Sequence, residues 1–167
     1  GQLHLEMHPV PVQPAVEKAL LAVQAQGRSQ KINLRMEMPP GLPPILADGD
    51  RLHQVLCNLL DNALTHTPPG GDICVQAEQV GKEIEFRIQD TGIGIAEQHL
   101  PLIFERFYRV DKSRDRSTGG AGLGLAIVKQ LVEAQGGQVS ARSTLGEGTT
   151  IIFTLPCAAP GLEPAPH

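Results

Sequence analysis

The sequence predicts a two-layer α/β sandwich, an α+β arrangement in which helices gather on one face of a sheet. Three observations predict it. Strand-like runs cluster with one another, as a hairpin in mid-chain and a pair near the end, instead of alternating regularly with helices as parallel βαβ units require. Residues 15–26, 50–65 and 122–134 carry apolar side chains at helical spacing. With 167 residues, 41% of them hydrophobic, the chain can bury a core without disulfides or metals.

Taken in order, residues 1–14 hold three prolines and no sustained period, and read as a lead-in or the end of an upstream helical domain. Residues 15–26 form a helix with Val16, Ala19, Leu20 and Val23 on one face and Gly27 as its stop. A strand follows at 32–38. Pro39-Pro40-Gly41-Leu42-Pro43-Pro44 imposes a stiff turn before a short strand at 45–47. The pattern over 50–65 is strongly helical, with Leu52, Val55, Leu56, Leu59, Leu60 and Ala63 sharing a face. Strands at 72–79 and 82–89 meet at Val80-Gly81 as a hairpin, and a short helix lies near 97–104. From Glu105 to Gly120 charge and glycine dominate, and a connection of that length in a compact domain is a functional lid or disorder. A helix over 122–134 ends at Gly136-Gly137, and strands at 138–142 and 149–155 complete a domain spanning 15–155. Residues 156–167, with Pro160, Pro164 and Pro166, read as a disordered Pro/Ala-rich tail.

Composition removes several classes of function. No apolar run approaches the roughly 20 residues of a membrane span, and the start lacks a charged-then-apolar signal pattern. Net charge is −4 with the acids spread along the chain, which gives nucleic acid no basic footprint. There is no Trp and one Tyr, a poor basis for a base-stacking platform. Cys57, Cys74 and Cys157 show no metal-ligand or redox spacing and read as reduced structural thiols of a cytosolic protein.

Chemistry concentrates in a few segments. Asp90-Thr91-Gly92-Ile93-Gly94-Ile95 directly follows the run Ile84-Glu85-Phe86-Arg87-Ile88-Gln89, so a strand delivers one carboxylate into a glycine-hinged loop. An ionised Asp is acceptor-only: it binds the exocyclic amine of adenine and rejects an acceptor in its place. Alone the hexapeptide is weak, since Asp-Thr-Gly also occurs in aspartic proteases and Asp before Gly is most often a turn. Asn58 and Asn62 stand four apart on the helix over 50–65, flanking its apolar stripe, where their carbonyl oxygens can reach a hard cation. Two solvated asparagines would satisfy the same pattern.

Gly119-Gly120-Ala121-Gly122-Leu123-Gly124-Leu125-Ala126 runs glycines into a helix start, whose free N–H groups suit phosphate. The charged run Asp111 to Arg116 before it cannot be the buried strand a dinucleotide fold requires, and no Gly-Lys-Ser/Thr of a Walker loop is present. Arg106, Arg109, Lys112, Arg114 and Arg116 offer cations that can neutralise charge in phosphoryl transfer, or simply a solvated loop. Phe104, Phe107 and Tyr108 are three of the five aromatic side chains, which fits a flap or a core anchor equally.

Together these segments resemble the ATP-binding catalytic domain of bacterial sensor histidine kinases, within the superfamily of gyrase, heat-shock chaperone and mismatch-repair ATPases. The likeness covers residues 50–155. Asp50-Arg51-Leu52-His53-Gln54-Val55-Leu56-Cys57-Asn58-Leu59-Leu60-Asp61-Asn62-Ala63 is similar to the N box, Asp90 to Gly94 to the first glycine box, and Phe104-Glu105-Arg106-Phe107-Tyr108-Arg109 to the F box. Gly120 to Gly124 is similar to the second glycine box and Gly146-Glu147-Gly148-Thr149-Thr150 to the closing box.

The resemblance implies a Bergerat-type fold: a mixed, mostly antiparallel sheet with helices on one face and a mobile ATP lid over Phe104 to Gly120. It implies ATP and Mg²⁺ as cofactors, Asp90 on the adenine amine, Thr149 helping through water, Asn62 on the metal and Asn58 facing the phosphates. Gly92, Gly94, Ile95, Phe107, Tyr108, Arg109, Lys112, Gly120, Gly122, Leu123, Gly124 and Leu125 would complete the nucleotide site, with His66 as pocket wall. Asn58, Arg106 and Arg109 would assist catalysis. Hydrolytic members carry a Glu at the Asn58 position to activate water, and an amide cannot serve as that base. This favours transfer to a protein histidine over hydrolysis.

Two departures stand out. Thr65 replaces a Lys or Arg that in many such kinases reaches the phosphates, a loss that Arg106, Arg109 or Lys112 can offset. No His-Glu or His-Asp pair occurs, so the phosphoacceptor, a dimerising helical domain, is expected upstream of Gly1. The implied partners are that domain and a response-regulator receiver. The implied setting is the cytoplasm, with a homodimeric parent open to inner-membrane anchoring and this domain a monomer by itself. Two other readings remain: an ATP hydrolase of the gyrase type, and a non-catalytic nucleotide-binding module. A nicotinamide oxidoreductase is a distant third.

Overall fold

The computed structural model describes residues 4–105 and 124–159. Its elements are β1 (His8–Val10), α1 (Val12–Ser29), β2 (Asn33–Glu37), β3 (Ile45–Ala47), α2 (Gly49–His66), β4 (Asp72–Val80) and β5 (Glu83–Asp90). A 3-10 helix (Glu97–Leu102), α3 (Gly124–Ala134), β6 (Val139–Thr144) and β7 (Gly148–Pro156) follow. The main sheet has the order β2-β4-β5-β7-β6. Among the described strands only β2 runs parallel to its neighbour; the other pairings are antiparallel, and β1 and β3 form a separate two-stranded sheet.

Side-chain alternation fixes which face is covered. Ile73, Val75 and Ala77 of β4, Ile84, Phe86 and Ile88 of β5, and Ile151, Phe153 and Leu155 of β7 all point inward. Their partner layer is the apolar face of α2, where Leu52, Val55, Leu56, Leu59, Leu60, Ala63 and Leu64 are buried, flanked by α1 and α3. At the centre Phe86 and Phe153, opposite each other in the register, stack with centroids 4.5 Å apart at 7°. Each is fully buried, a gain of about 1.5 to 3 kcal/mol apiece from removing the ring from water.

Asp48 starts α2 by accepting the backbone N–H of Asp50 and Arg51 on its side chain. Its second oxygen accepts Glu6 N–H at 2.9 Å, and its own N–H donates to Gln135 Oε1 at 2.9 Å. One buried cap thus joins the amino-terminal segment, α2 and the residue after α3. Burial alone would raise the Asp48 carboxyl, but the N–H donors of Glu6, Arg51 and Asp50 and the Arg51 charge hold it below the usual range.

Several boundaries differ from those the sequence suggests. β1 falls in the segment read as lead-in, because three residues cannot display a period, and α1 begins at Val12. Gly27 does not end α1; it is buried inside the helix, where a Cβ would meet Leu34 Cδ1 at 2.9 Å, so its missing side chain admits Leu34. The short helix after Asp90 is 3-10, with Pro101 inside it. Of the segment read as a tail, residues 156–159 are described, and there Cys157 N–H donates to Lys82 O and Ala158 N–H to Pro44 O, both at 2.9 Å. All three cysteines are free thiols whose pKa burial pushes up.

Candidate functional site

The site gathers where β5 ends. Asp90 is its last residue, paired with Ile73 on one side and Thr149 on the other, and it is only 5% exposed. Oδ1 accepts Gly92 N–H at 2.9 Å and Thr149 N–H at 3.2 Å. Oδ2 has no hydrogen bond among the described residues. One oxygen is therefore anchored by backbone, and the other has no hydrogen-bond partner of that kind. Burial raises the Asp90 carboxyl above its ordinary value, while the Gly92 and Thr149 donors and the charge of His66 pull the other way.

The following loop is held by backbone contacts that exclude side chains. A Cβ on Gly92 would lie 2.3 Å from the carbonyl oxygen of His66, so only glycine lets the loop close on the end of α2. There Ile93 N–H donates to His66 O at 3.1 Å. Gly94 has φ +76°, and a Cβ would sit 2.3 Å from Thr144 O. Gly146 N–H then reaches back to Ile93 O at 2.7 Å, joining the loop to the β6–β7 turn. Ile95 is buried, and its N–H donates to Ser143 Oγ at 2.7 Å.

On α2, Asn58, Asn62 and His66 follow at four-residue intervals, a ridge leading to the Asp90 loop. All three are half-buried, and neither asparagine amide has a hydrogen-bond partner among the described residues. Their oxygens are available to a hard cation. No three His, Cys, Asp or Glu side chains converge among the described residues, so a metal here would depend on amide, phosphate and water oxygens. Thr65 turns its hydroxyl onto Asp61 O at 2.9 Å. A cavity of ≈ 730 Å³ bordered by Asp61, Thr65, His66 and Ile93 adjoins the ridge. A smaller hollow of ≈ 420 Å³ lies on the uncovered sheet face, where its Arg87 is paired with Glu85 and Glu78.

Residues 47–159 match the family of histidine kinase-, DNA gyrase B- and HSP90-like ATPases. A mycobacterial sensor histidine kinase, MprB, superposes with TM-score 0.77 and 31% identity over 91% of this chain and 98% of that one. The chain belongs to the ATP-binding catalytic domains of sensor histidine kinases. Full-length ShkA in complex with AMPPNP superposes with TM-score 0.84 and 32% identity, covering 100% of this domain and 34% of that protein. The adaptive-response sensory kinase SasA of Synechococcus elongatus is 39% identical over 92% of this domain. The sensor protein SrrB of Staphylococcus aureus is 48% identical over 65% of it. The domain spans 40% of SasA and 19% of SrrB.

Of the residues the sequence singles out, the structure brings Asp90, Gly92, Gly94, Ile95 and Thr149 into one hydrogen-bonded corner and sets the Asn58–Asn62–His66 ridge beside it. Gly124 and Leu125 open α3. Arg106, Phe107, Tyr108, Arg109, Lys112, Gly120, Gly122 and Leu123 lie outside the described residues, as does most of the lid segment. Of the F box, Phe104 and Glu105 are described; Phe104 packs half-buried against the core and Glu105 is exposed. No helix among the described residues is long and apolar enough to cross a membrane.

Sequence reading missed Ser143, which contacts Ile95, Gly148 and Thr149 at once. A predicted strand ending at 142 hides it; extending β6 to Thr144 places Ser143 directly opposite Thr149.

Proposed function

We propose that this domain binds Mg²⁺-ATP with Asp90 on the adenine amine and transfers the γ-phosphoryl group to a histidine on a separate helical domain. A ring nitrogen of that histidine attacks the γ-phosphorus, the bond to the β–γ bridging oxygen breaks, and ADP leaves. The observation that carries the reading is Asn58: on the α2 ridge beside the Asp90 corner stands an amide, which cannot take a proton from water. With hydrolysis disfavoured, what remains for the protein is positioning and charge neutralisation.

Asp90, Gly92, Gly94, Ile95 and Thr149 hold the base, and His66 forms a wall of the pocket. Asn62 contributes one amide oxygen to Mg²⁺, a share that suits a cation retaining waters and phosphate oxygens. The bound metal supplies neutralisation of the polyphosphate. Gly124 and Leu125 at the start of α3, together with Gly120, Gly122 and Leu123 of the preceding sequence, are assigned to the phosphates, Phe107, Tyr108 and Lys112 to the lid, and Arg106 and Arg109 to offsetting charge as it develops. The partners are a dimerising phosphoacceptor domain and a response-regulator receiver. In this reading the domain works in the cytoplasm, within a homodimeric parent for which inner-membrane anchoring is compatible.

A second reading, a nucleotide-binding module without transfer, is favoured by Thr65, whose hydroxyl is engaged with its own helix where a cation would reach the phosphates. Incubation with γ-labelled ATP and a supplied helical hairpin bearing a His-Glu motif separates the possibilities. Acid-labile label on the hairpin histidine supports transfer. Release of free phosphate without labelling would make the domain a hydrolase, and bound ATP with neither outcome would make it the silent module.

A further inference from the structure

Gln135 is buried, 3% exposed, at the point where α3 stops and Gly136 turns the chain away with φ +90°. Both ends of its amide are engaged. Oε1 accepts the backbone N–H of Asp48 at 2.9 Å, and Nε2 donates to Leu131 O at 2.9 Å. A backbone N–H can only donate and a carbonyl can only accept, so these partners fix the orientation of the amide. The Asp48 contact spans 87 positions of sequence and ties the end of α3 to the residue that caps α2. Backbone bonds already close α3, with Gly136 N–H on Glu133 O at 3.1 Å and Gly137 N–H on Val132 O at 3.0 Å. What the Oε1 contact adds is the axial placement of α3 on α2.

That placement reaches the site. α3 packs on α2 and buries Val128, Leu131 and Val132. Such apolar contact is non-directional, whereas a hydrogen bond holds a defined length. Joined by its end to the start of α2, α3 runs back along that helix. Its 11 residues carry it about 16 Å from the joint to Gly124, at ~1.5 Å per residue. By the same rise Asn58 stands about 15 Å along α2 from Asp48, and Asn62 lies one turn beyond. The joint therefore sets the free N–H groups at the start of α3 level with the two asparagines.

We propose that Gln135 is a positioning residue for the phosphate end of the nucleotide: by pinning α3 to Asp48 it holds Gly124 and Leu125 in register with Asn58 and Asn62. The proposal rests on the reading of those four residues as phosphate and metal contacts. The Asp90 corner is built on β5 and β7, away from the pin. Loss of the Gln135 amide therefore acts on the phosphates and spares the purine.

Calorimetric titration with AMP and with Mg²⁺-ATP, on wild type and Gln135→Met, tests this beside a thermal melt showing each protein folded. Met keeps the length of the side chain and removes both amide contacts. The preference for Mg²⁺-ATP over AMP should fall about three- to tenfold, the range a single uncharged hydrogen bond gives, through lost ATP affinity with AMP affinity kept. A residue that merely stabilised α3 would lower the melting temperature and leave the preference as it was, so an unchanged preference overturns the proposal. Where Gln135→Met does not fold, Gln135→Asn, one methylene short of Asp48, carries the same comparison: a lowered preference supports the proposal and an unchanged one overturns it. Wild-type protein that binds Mg²⁺-ATP no tighter than AMP overturns the phosphate-site reading and this proposal with it. A preference for ATP that the variant retains in full overturns this proposal alone.

Discussion

Replacing Asp90 by Asn reverses the hydrogen-bonding sense of one group while leaving its shape intact. The structure dictates which way the amide settles. With its carbonyl at the Oδ1 position it still accepts Gly92 N–H, at 2.9 Å in the native chain, and Thr149 N–H, at 3.2 Å. Flipped, it would set NH₂ against both donors and leave two backbone N–H groups unsatisfied. The first arrangement prevails, and the NH₂ group faces the cleft where the purine amine must also donate. Fold stability should change little, yet nucleotide affinity should fall by the cost of an unmatched buried polar contact, about 1 to 3 kcal/mol. That corresponds to about 5- to 150-fold in Kd, and the upper part is expected because the native contact is charge-assisted. Calorimetry with ADP, beside a thermal melt showing the variant folded, provides the test. A folded Asp90→Asn protein that binds ADP as tightly as wild type refutes the reasoning.

The same carboxyl gives a pH signature. Burial raises it, so acidification should neutralise Asp90 and weaken ADP binding above the usual aspartate range near ~3.9, a trend absent from the Asn variant. For stability the sign is opposite: the raised value favours the protonated form in the fold, so that contribution is fullest below the unfolded value and is lost as pH rises through the folded one.

Three further perturbations probe other parts of the account. Thr65→Lys should tighten ATP more than ADP, by severalfold and less at high salt, measured by titration at two ionic strengths. Phe86→Ala removes one ring of the 4.5 Å stack and should cost about 3 to 5 kcal/mol in urea unfolding. Asp48→Ala removes the α2 cap and should cost about 1 to 2 kcal/mol at neutral pH. Because the Asp48 carboxyl is held low, the stability it contributes is present above its unfolded value and fades as pH falls through the folded one, so the gap between wild type and variant should narrow in acid melts.

What the sequence revealed follows from periodicity. The α2 face was readable because six of its buried residues repeat at helical spacing, and α2 carries both asparagines. The Asp90 corner was readable because a strand of strict alternation ends on the acid. β1 was not, since three residues paired only with β3 show no pattern. Gly27 looked like a helix stop because the close approach of Leu34 is tertiary. Ser143 was hidden for a related reason: its contacts come from the cross-strand register with Thr149 and from Ile95, 48 residues away in sequence.

The claim that the purine sits against Asp90 is tested most directly by a backbone amide NMR titration with ADP. The Gly92 and Thr149 N–H groups both donate to the Asp90 carboxylate and should report any ligand on its other oxygen. The account predicts saturable shifts at Gly92, Ile95 and Thr149, together with the side-chain amides of Asn58 and Asn62. Shifts confined to Gln76, Glu85 and Arg87 on the uncovered face of the sheet, with the Asp90 corner unmoved, would contradict it.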